Sequence, residues 1–304
     1  MMASVSPIAV QRSRPGLVNR RASNVQDRSL PRGVPRLDAL VGLGLLGLLL
    51  VMAGIGPALW HVDPDALDLL NRLAPPAGFG GSAAHPLGTD TLGRDVLARL
   101  IAGARVSLLL AIGATMAASV VGAGFGIVAG FRGGVTDRIV TWLADVQVAI
   151  PFVVFAIAAT ALFGNGIGTV LATLIVTGWV AYARVLLLQT RGIAHTGWMD
   201  AARAIGASPL RLVWRHLLPN LAGTLAVLAT QQAGGMILYE SSLSFLGLGI
   251  GGDTATWGGM AATGREAVFR APWLAVVPGL AIAAAMLGFN LTGDWMATRR
   301  LDRQ

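Results

Sequence analysis

The sequence contains no cysteine and no lysine, and only 12% of its 304 residues are charged. Without cysteine the chain has no disulfide, no thiolate nucleophile and no cysteine-based metal site. Without lysine it has no phosphate-binding loop of the G-x-x-x-x-G-K-[ST] type and no Schiff-base chemistry. A nucleotide would therefore have to be bound by another chain, and we expect no cofactor on this one.

Metal and enzyme chemistry also lack a suitable arrangement of residues. The four histidines, His61, His85, His195 and His216, lie far apart and show no H-x-x-x-H pairing. The outer loop 61–105 contains no evident pair of nucleophile and base, which disfavours a membrane enzyme with its site there. We therefore predict no metal site and no catalytic residue.

What the sequence does contain is apolar surface. Hydrophobic residues make up 54% of the chain, and its charged fraction is about half of the roughly 25% that is usual in soluble domains. Six apolar segments each approach the ~20 residues that cross a bilayer as a helix. They are 38–60, 106–130, 139–162, 167–189, 219–244 and 272–296. The sequence thus predicts an all-α membrane protein with about six transmembrane helices.

The arginines are distributed unevenly between the two sets of loops. With the amino terminus inside, 17 of the 23 arginines fall in cytoplasmic segments and six in outer loops. The net charge of +8 therefore indicates membrane topology and contact with lipid, not nucleic acid. We expect both termini to be cytoplasmic. The chain then divides into a flexible basic cytoplasmic arm (1–36), a first helix with its outer loop (37–105), a core of five transmembrane helices (106–296) and a cytoplasmic tail (297–304).

Small residues recur at four-residue spacing in two of the predicted spans. Gly122, Gly126 and Gly130 do so in the second span, and Ala284 and Gly288 in the sixth. Such positions let helix backbones approach closely in lipid. They predict close packing either within the chain or against a partner permease.

The inner loop 190–218 has a helix–turn–helix pattern. Asp200 stands in the first turn of one short helix, and Gly206 ends that helix. Ser208 and Pro209 are the N-cap and first residue of a second helix. Leu210, Val213, Trp214 and Leu217 are expected on one side of it. The pattern fits either a protruding handle for a soluble partner or an amphipathic pair lying on the membrane.

The residues of this loop resemble the EAA loop of permease subunits in binding-protein-dependent ABC importers. The matching residues are Asp200-Ala201-Ala202, then Gly206, then His216-Leu217-Leu218-Pro219-Asn220, with Asp200 in place of the usual Glu. The resemblance implies that this loop forms the coupling helix that docks into an ATPase subunit. The residues implied in coupling are Asp200, Ala201, Ala202, Gly206, Ala207, Ser208, Pro209 and Arg211.

Further motifs extend the resemblance to the C-type subunit of the dipeptide/oligopeptide/nickel permeases over residues 37–296. They are 85–90, 93–97 and 103–108, Asp145 with Ile150-Pro151, 177–184, and Glu240 followed by 243–249 and 257–258. The resemblance implies a type I ABC importer permease fold in the inner membrane. It also implies a heterodimer with a paralogous permease, two ATPase subunits that bind ATP and Mg, and an external substrate-binding protein. The cargo is not identified among dipeptides, longer peptides, nickel chelates and glutathione-like molecules.

Four polar residues inside the predicted spans are candidates for the substrate pathway: Glu240, Gln231, Gln232 and Asp145. Glu240 either contacts a peptide ammonium at the outer mouth or is a structural carboxylate. Asp145 fits a salt bridge with Arg138 or Arg184, and the two glutamines fit either pore lining or interhelical hydrogen bonds. Ion coupling through Asp145 or Glu240 would instead indicate a secondary transporter, which is the alternative function.

Overall fold

The computed structural model describes residues 35–301, so the predicted arm before residue 35 and the last three residues lie outside the described part. This part is helical, and its pairing of extended residues is limited to one isolated bridge between Thr89 and Asp95. The helices are α1 (Pro35–Gly54), α2 (Gly56–Leu59), α3 (Val96–Arg132), α4 (Gly134–Ala149), α5 (Phe152–Phe163), α6 (Ile167–Ala194), α7 (Gly197–Ala204), α8 (Pro209–Leu212), α9 (Leu218–Phe245), α10 (Trp257–Glu266) and α11 (Trp273–Leu301).

Five helical stretches in the described residues are long and apolar enough to cross a membrane. They are Leu37–Gly54, Val96–Arg132, Ile167–Ala194, Pro209–Phe245 and Trp273–Arg299. Helices α4 and α5 supply a sixth crossing if the pair is counted as one broken span. The prediction of an all-α membrane protein with about six transmembrane helices is therefore confirmed.

The third predicted span is not a single helix. Residues 139–162 fall on α4 and α5, which bend by 88° at the Ile150–Pro151 step. Ile150 adopts an extended conformation (φ −89°, ψ 117°), because the ring of a following proline disfavours helical backbone. The continuous hydrophobicity of this stretch concealed the break.

Helix α3 begins ten residues before the predicted span 106–130. The carboxylate of Asp95 caps its amino terminus by accepting a hydrogen bond of 2.7 Å from the backbone N–H of Ala98. At 1.5 Å per residue the 37 residues reach roughly 55 Å, well beyond the hydrocarbon thickness. The extra residues lie at the end of the bundle that carries the 60–95 segment. We call this end the outer end, because the distribution of arginines predicts that it faces away from the cytoplasm.

The glycine stripe of α3 packs against α6 of the same chain. A Cβ atom added at Gly122, Gly126 or Gly130 would stand 2.3–2.6 Å from a backbone oxygen of α6. These oxygens belong to Trp179, Ala183 and Leu187, which are also spaced by four residues and follow the same order, so the two helices run parallel. Gly288 of α11 likewise faces α1, where an added Cβ would stand 3.0 Å from Leu46. Both small-residue faces therefore serve packing within the chain.

The largest apolar core lies at the outer half of the bundle and joins α3, α6, α9, α10 and α11. Its fully buried members include Tyr182, Leu174, Ile237 and Trp257. The indole N–H of Trp257 donates to the Leu100 carbonyl at 3.1 Å, which fixes α10 against α3. A smaller core holds the inner segment that follows α6.

Candidate functional site: the inner projecting segment and the buried polar groups

The inner projecting segment, residues 195–217, has the predicted helix–turn–helix form. Helix α7 ends at a turn where Gly206 has φ +84°, a conformation that costs glycine little. The backbone N–H of Ala207 donates to the Ala202 carbonyl at 3.1 Å and closes the turn. The Ser208 hydroxyl then accepts from the N–H of Arg211 at 3.4 Å, so Ser208 caps α8 as predicted.

Beyond α8 the helix continues into α9 through one wide turn of π-helix, Val213–Leu217. This turn corrects the predicted apolar face. Leu217 is buried, but Leu210 and Trp214 are 69% and 66% exposed. A π turn inserts one residue per turn, so positions spaced by three and four do not stay on one side. Leu212, which the pattern left out, takes the buried position instead.

The projecting segment stands on a buried apolar base. Met199, Leu212 and Leu217 have at most 1% of their surface exposed and pack in one cluster with Leu186 of α6 and Ile127 of α3. The base ties both short helices to the transmembrane helices. The segment is therefore attached to the inner ends of α3 and α6 through this cluster.

The tip of the segment is exposed. Ile205, beside the glycine turn, is 86% exposed, and Trp198 is 45% exposed. Asp200 forms an exposed ion pair of 2.8 Å with Arg203 on the same helix. All eight residues implied in coupling lie along this short stretch, and most of them are exposed: Asp200, Ala201, Gly206, Ser208, Pro209 and Arg211, with Ala202 and Ala207 half-buried.

Glu240 is a fully buried carboxylate in the outer half of α9. It accepts hydrogen bonds from the hydroxyls of Ser244 (2.9 Å), Ser107 (3.3 Å) and Ser241 (3.4 Å). The hydroxyl oxygen of Ser107 also accepts from the backbone N–H of Trp257 at 3.3 Å. The cluster links α3, α9 and the start of α10, and the partners of the carboxylate are side-chain hydroxyls.

The other three predicted pathway residues have different surroundings. Asp145 pairs with Arg184 at 2.7 Å, and both side chains are about half exposed. The Gln231 amide donates to Asp294 of α11 at 3.2 Å, whereas Gln232 is half-buried. Asp145 and Glu240 thus have separate partners, as their positions in the sequence indicated.

A buried ionic network at the outer end was not predicted. Arg94, 7% exposed, binds Asp90 at 2.7 Å, and Arg99 binds Asp65 at 2.7 Å. Asp95 accepts from the Trp60 indole at 3.2 Å and lies 2.9 Å from the His85 ring. The clustering of Asp and Arg at residues 90–99 was the available signal, although their partners at residues 60 and 65 are distant in sequence.

The described residues form a helix bundle with a buried ionic network at the outer end and a projecting segment with exposed apolar side chains at the inner end. Residues 122–303, more than half of the chain, match the family described as binding-protein-dependent transport system inner membrane component. The chain belongs to this family. It is a multi-pass membrane permease subunit of the ABC importer type, and ATP hydrolysis in this family is the task of separate subunits.

Individual relatives agree over most of the chain. The oligopeptide transport system permease protein OppC of Bacillus subtilis is 34% identical over 84% of this chain and 82% of its own length. The dipeptide transport system permease protein DppC of the same organism is 37% identical over 84% and 79%. The glutathione transport system permease protein GsiD of Pectobacterium atrosepticum is 35% identical over 85% of both chains. The type I importer permease fold is thereby confirmed, and nothing supports the ion-coupled alternative.

Proposed function

We propose that this chain is one of two paralogous permease subunits that together form the pore of an inner-membrane importer of peptides or related small solutes. Two ATPase subunits, which bind ATP and Mg, power the importer, and an external substrate-binding protein delivers the cargo. The names of the relatives, which transport oligopeptides, dipeptides or glutathione, support this cargo class. Lipid surrounds the assembled pair.

The apolar tip of the inner projecting segment is the observation that carries the proposal. Ile205, Leu210 and Trp214 expose most of their side chains next to the glycine turn. Exposed apolar side chains clustered on a projecting turn are typical of a protein-binding surface. We infer that a cleft on an ATPase subunit covers this tip, and that the coupling residues Asp200–Ala202, Gly206–Pro209 and Arg211 line the contact.

The buried base of the segment explains how a movement of the ATPase subunits would reach the pore. A push on the tip acts on α8, which continues into α9 as one helical stretch from Pro209 to Phe245. Through Met199 and Leu217 it also acts on the cluster that includes α3 and α6. We propose that ATP binding closes the two ATPase subunits and rocks these helices from an outward-facing to an inward-facing arrangement.

The charge distribution supports a cytoplasmic position for the projecting segment. Residues 184–216 carry five arginines, and loops rich in arginine stay on the cytoplasmic side. The amino and carboxyl termini then lie on the same side. The outer segment 60–95 faces the binding protein.

Site-directed cross-linking tests the proposal directly, because the natural chain has no cysteine. We expect Ile205→Cys to cross-link to an ATPase subunit in the assembled importer. Phe269→Cys is the matched control, since Phe269 is just as exposed but stands in the loop before α11 at the outer end. An adduct between Phe269→Cys and an ATPase subunit, or none with Ile205→Cys, would contradict the proposal.

A bulky residue in the glycine turn tests the transmission of force. Gly206 has φ +84°, which is unfavourable for any residue with a Cβ, and the space around it is open. We expect Gly206→Trp to remain inserted and to abolish uptake while the ATPase subunits still hydrolyse ATP. Normal uptake by a stably expressed Gly206→Trp variant would exclude a coupling role for this turn.

A further inference from the structure

A groove runs between the inner end of α3 and α8, with the π turn that follows α8. We call it the α3–α8 groove. Its volume is about 360 Å³, which falls in the ~300–1,000 Å³ range of small-molecule sites. Its apolar walls consist of Ile127, Val128, Phe131, Pro209, Leu210 and Val213. The remaining lining residue is Arg132, which stands at the last position of α3. The groove therefore combines apolar walls with one cation at one end.

The guanidinium of Arg132 is available to an anion. It forms no hydrogen bond or ion pair within the described residues 35–301. The acid nearest to it along the chain, Asp137, is paired with Arg191 of α6. A second guanidinium, that of Arg203, lies 5.5 Å from the centre of the Phe131 ring and thus beside the groove, and it pairs with an acid of its own helix. The end of the groove at Arg132 therefore carries a positive charge that this chain does not neutralise.

The groove lies at the depth where hydrocarbon gives way to lipid headgroups. Val128 falls within the predicted apolar span 106–130 and is 43% exposed. Val121 and Phe125 precede it by seven and three residues, lie on the same side of α3 and are also exposed, so apolar surface leads into the groove. Arg132 follows Val128 by one turn, roughly 6 Å further along the helix axis. An arginine at the end of a spanning helix reaches the headgroup layer with its long side chain.

We propose that the α3–α8 groove binds an anionic phospholipid, with an acyl chain between α3 and α8 and the phosphate on Arg132. The site goes beyond the proposed function, because it requires neither the cargo nor the ATPase subunits. A guanidinium binds phosphate through paired, charge-assisted hydrogen bonds, and basic pockets between membrane helices bind acidic headgroups. A zwitterionic lipid also has a phosphate, but its ammonium group would bring a further cation close to Arg132 and Arg203. The groove therefore favours an anionic headgroup.

The groove is separate from the tip that we assign to the ATPase subunit. Ile205 and Trp214 of the tip do not line the groove, and Leu210 is the one tip residue that borders it. Ile127 and Val128 on the opposite wall lie inside the predicted span, where a soluble subunit has no access. A lipid, by contrast, reaches this depth from the membrane and brings both parts that the groove fits, an apolar chain and an anionic head.

Lipid titration of the purified importer tests the headgroup contact. Native mass spectrometry gives the affinity of the detergent-solubilised importer for phosphatidylglycerol and for phosphatidylcholine. We expect tighter binding of phosphatidylglycerol, and an affinity about fivefold lower in Arg132→Gln, since one arginine near an anionic headgroup contributes about that factor. Arg138→Gln is the matched control, because Arg138 is exposed and unpaired within the described residues but does not line the groove. Equal affinity for the two lipids, or an equal loss in the two variants, would overturn the proposal.

Filling the groove tests the acyl-chain contact with the charge left in place. Val128→Trp puts a larger apolar side chain into the groove, and we expect the affinity for phosphatidylglycerol to fall about fourfold for each CH₂ group that it displaces. Val120→Trp is the matched control, because Val120 is exposed on α3 but does not line the groove. Unchanged affinity in Val128→Trp would overturn the proposal. Displacement of the lipid by inorganic phosphate would overturn it in favour of a free anion, and a cross-link from Val128→Cys to an ATPase subunit or the second permease in favour of a protein contact.

Discussion

Charged side chains are buried and paired at the outer end of the helix bundle, whereas those of the inner projecting segment are exposed. At the outer end Arg94 and Arg99 are buried, and each has a carboxylate partner at 2.7 Å. At the inner end Ile205 and Trp214 expose most of their apolar surface, and the Asp200–Arg203 pair is open to solvent. The buried charges of the outer end find their partners within this chain, whereas apolar side chains are exposed at both ends, Phe269 and Leu70 at the outer one and Ile205 and Trp214 at the inner one.

The difference has a physical consequence for mutations. Groups that are buried and paired within one chain contribute to its stability, so replacing them destabilises the fold. Groups exposed on a projecting tip contribute little to folding, and under the proposed function we expect them to act through a partner subunit. The predictions below test this contrast, in order of decreasing effect on stability.

The largest loss of stability is expected from Asp90→Ala at the outer end. The carboxylate of Asp90 binds the Arg94 guanidinium and accepts from the backbone N–H groups of Leu92 and Arg94. Its removal leaves the buried guanidinium with the 3.5 Å contact to the exposed Asp253, and we expect a cost of about 3–5 kcal/mol. The midpoint of thermal unfolding in detergent measures the loss. Asp200→Ala, which breaks the exposed pair of α7, should cost at most about 1 kcal/mol, and equal losses would contradict the contrast.

The next effect concerns the contact between α3 and α6, which connects the two ends. A methyl group at Gly122 would stand 2.3 Å from the Trp179 carbonyl oxygen, whereas the space around Gly124 is open. We expect Gly122→Ala to destabilise the protein by about 1–3 kcal/mol through overpacking. Gly124→Ala is the matched control and should leave the unfolding midpoint unchanged. Equal unfolding midpoints for the two variants would contradict close packing of α3 on α6 at Gly122.

Two of the acidic residues in the membrane-spanning region, Glu240 and Asp145, should also differ. Glu240→Gln replaces one acceptor of the serine cluster by a donor, and we expect a loss of about 1–3 kcal/mol. Asp145→Asn disturbs an exposed pair with Arg184, which is worth about 0–1 kcal/mol. Unfolding by denaturant compares the variants on one scale. A larger loss of stability for Asp145→Asn than for Glu240→Gln would contradict the assignment of Glu240 as the structural carboxylate.

The smallest change in stability is expected at the tip. Trp214→Ser removes an exposed side chain and should change the free energy of unfolding by less than about 0.5 kcal/mol. Uptake should nevertheless fall strongly if the proposed contact between the tip and the ATPase subunit is lost. Uptake assays beside unfolding curves separate the two effects. A Trp214→Ser variant that is destabilised but takes up cargo normally would contradict the contrast between the two ends.

Much of the fold was predictable because hydrophobic length and helix signals are local properties. The positions of α6 and α9 match the predicted apolar segments within a few residues, and the caps at Gly206 and Ser208 were predicted from residue type. The break at Pro151 was missed, since the hydrophobicity of 139–162 is continuous across it. The π turn at Val213–Leu217 was missed as well, because no residue type specifies it.

The two parts of the candidate site, the inner projecting segment and the buried polar groups, were predictable to different degrees. The residues implied in coupling lie close together in the sequence, between Asp200 and Arg211, so one motif indicated all of them. The predicted pathway residues are spread over two helices, and local sequence does not show which of them are buried. Charge alone favoured Glu240, whereas the structure buries its carboxylate among three serine hydroxyls.

The sequence by itself determined the class of the protein: apolar segments of membrane length, arginine-rich inner loops, no lysine for a nucleotide loop, and a turn motif between α7 and α8. These properties depend on composition and on neighbours along the chain. Only the tertiary structure decided that the Gly122 stripe packs on α6, that Arg99 binds Asp65 and that Glu240 binds Ser107. Each of those contacts joins residues more than 30 positions apart, and such pairs are selected by packing in three dimensions, which a local pattern does not encode.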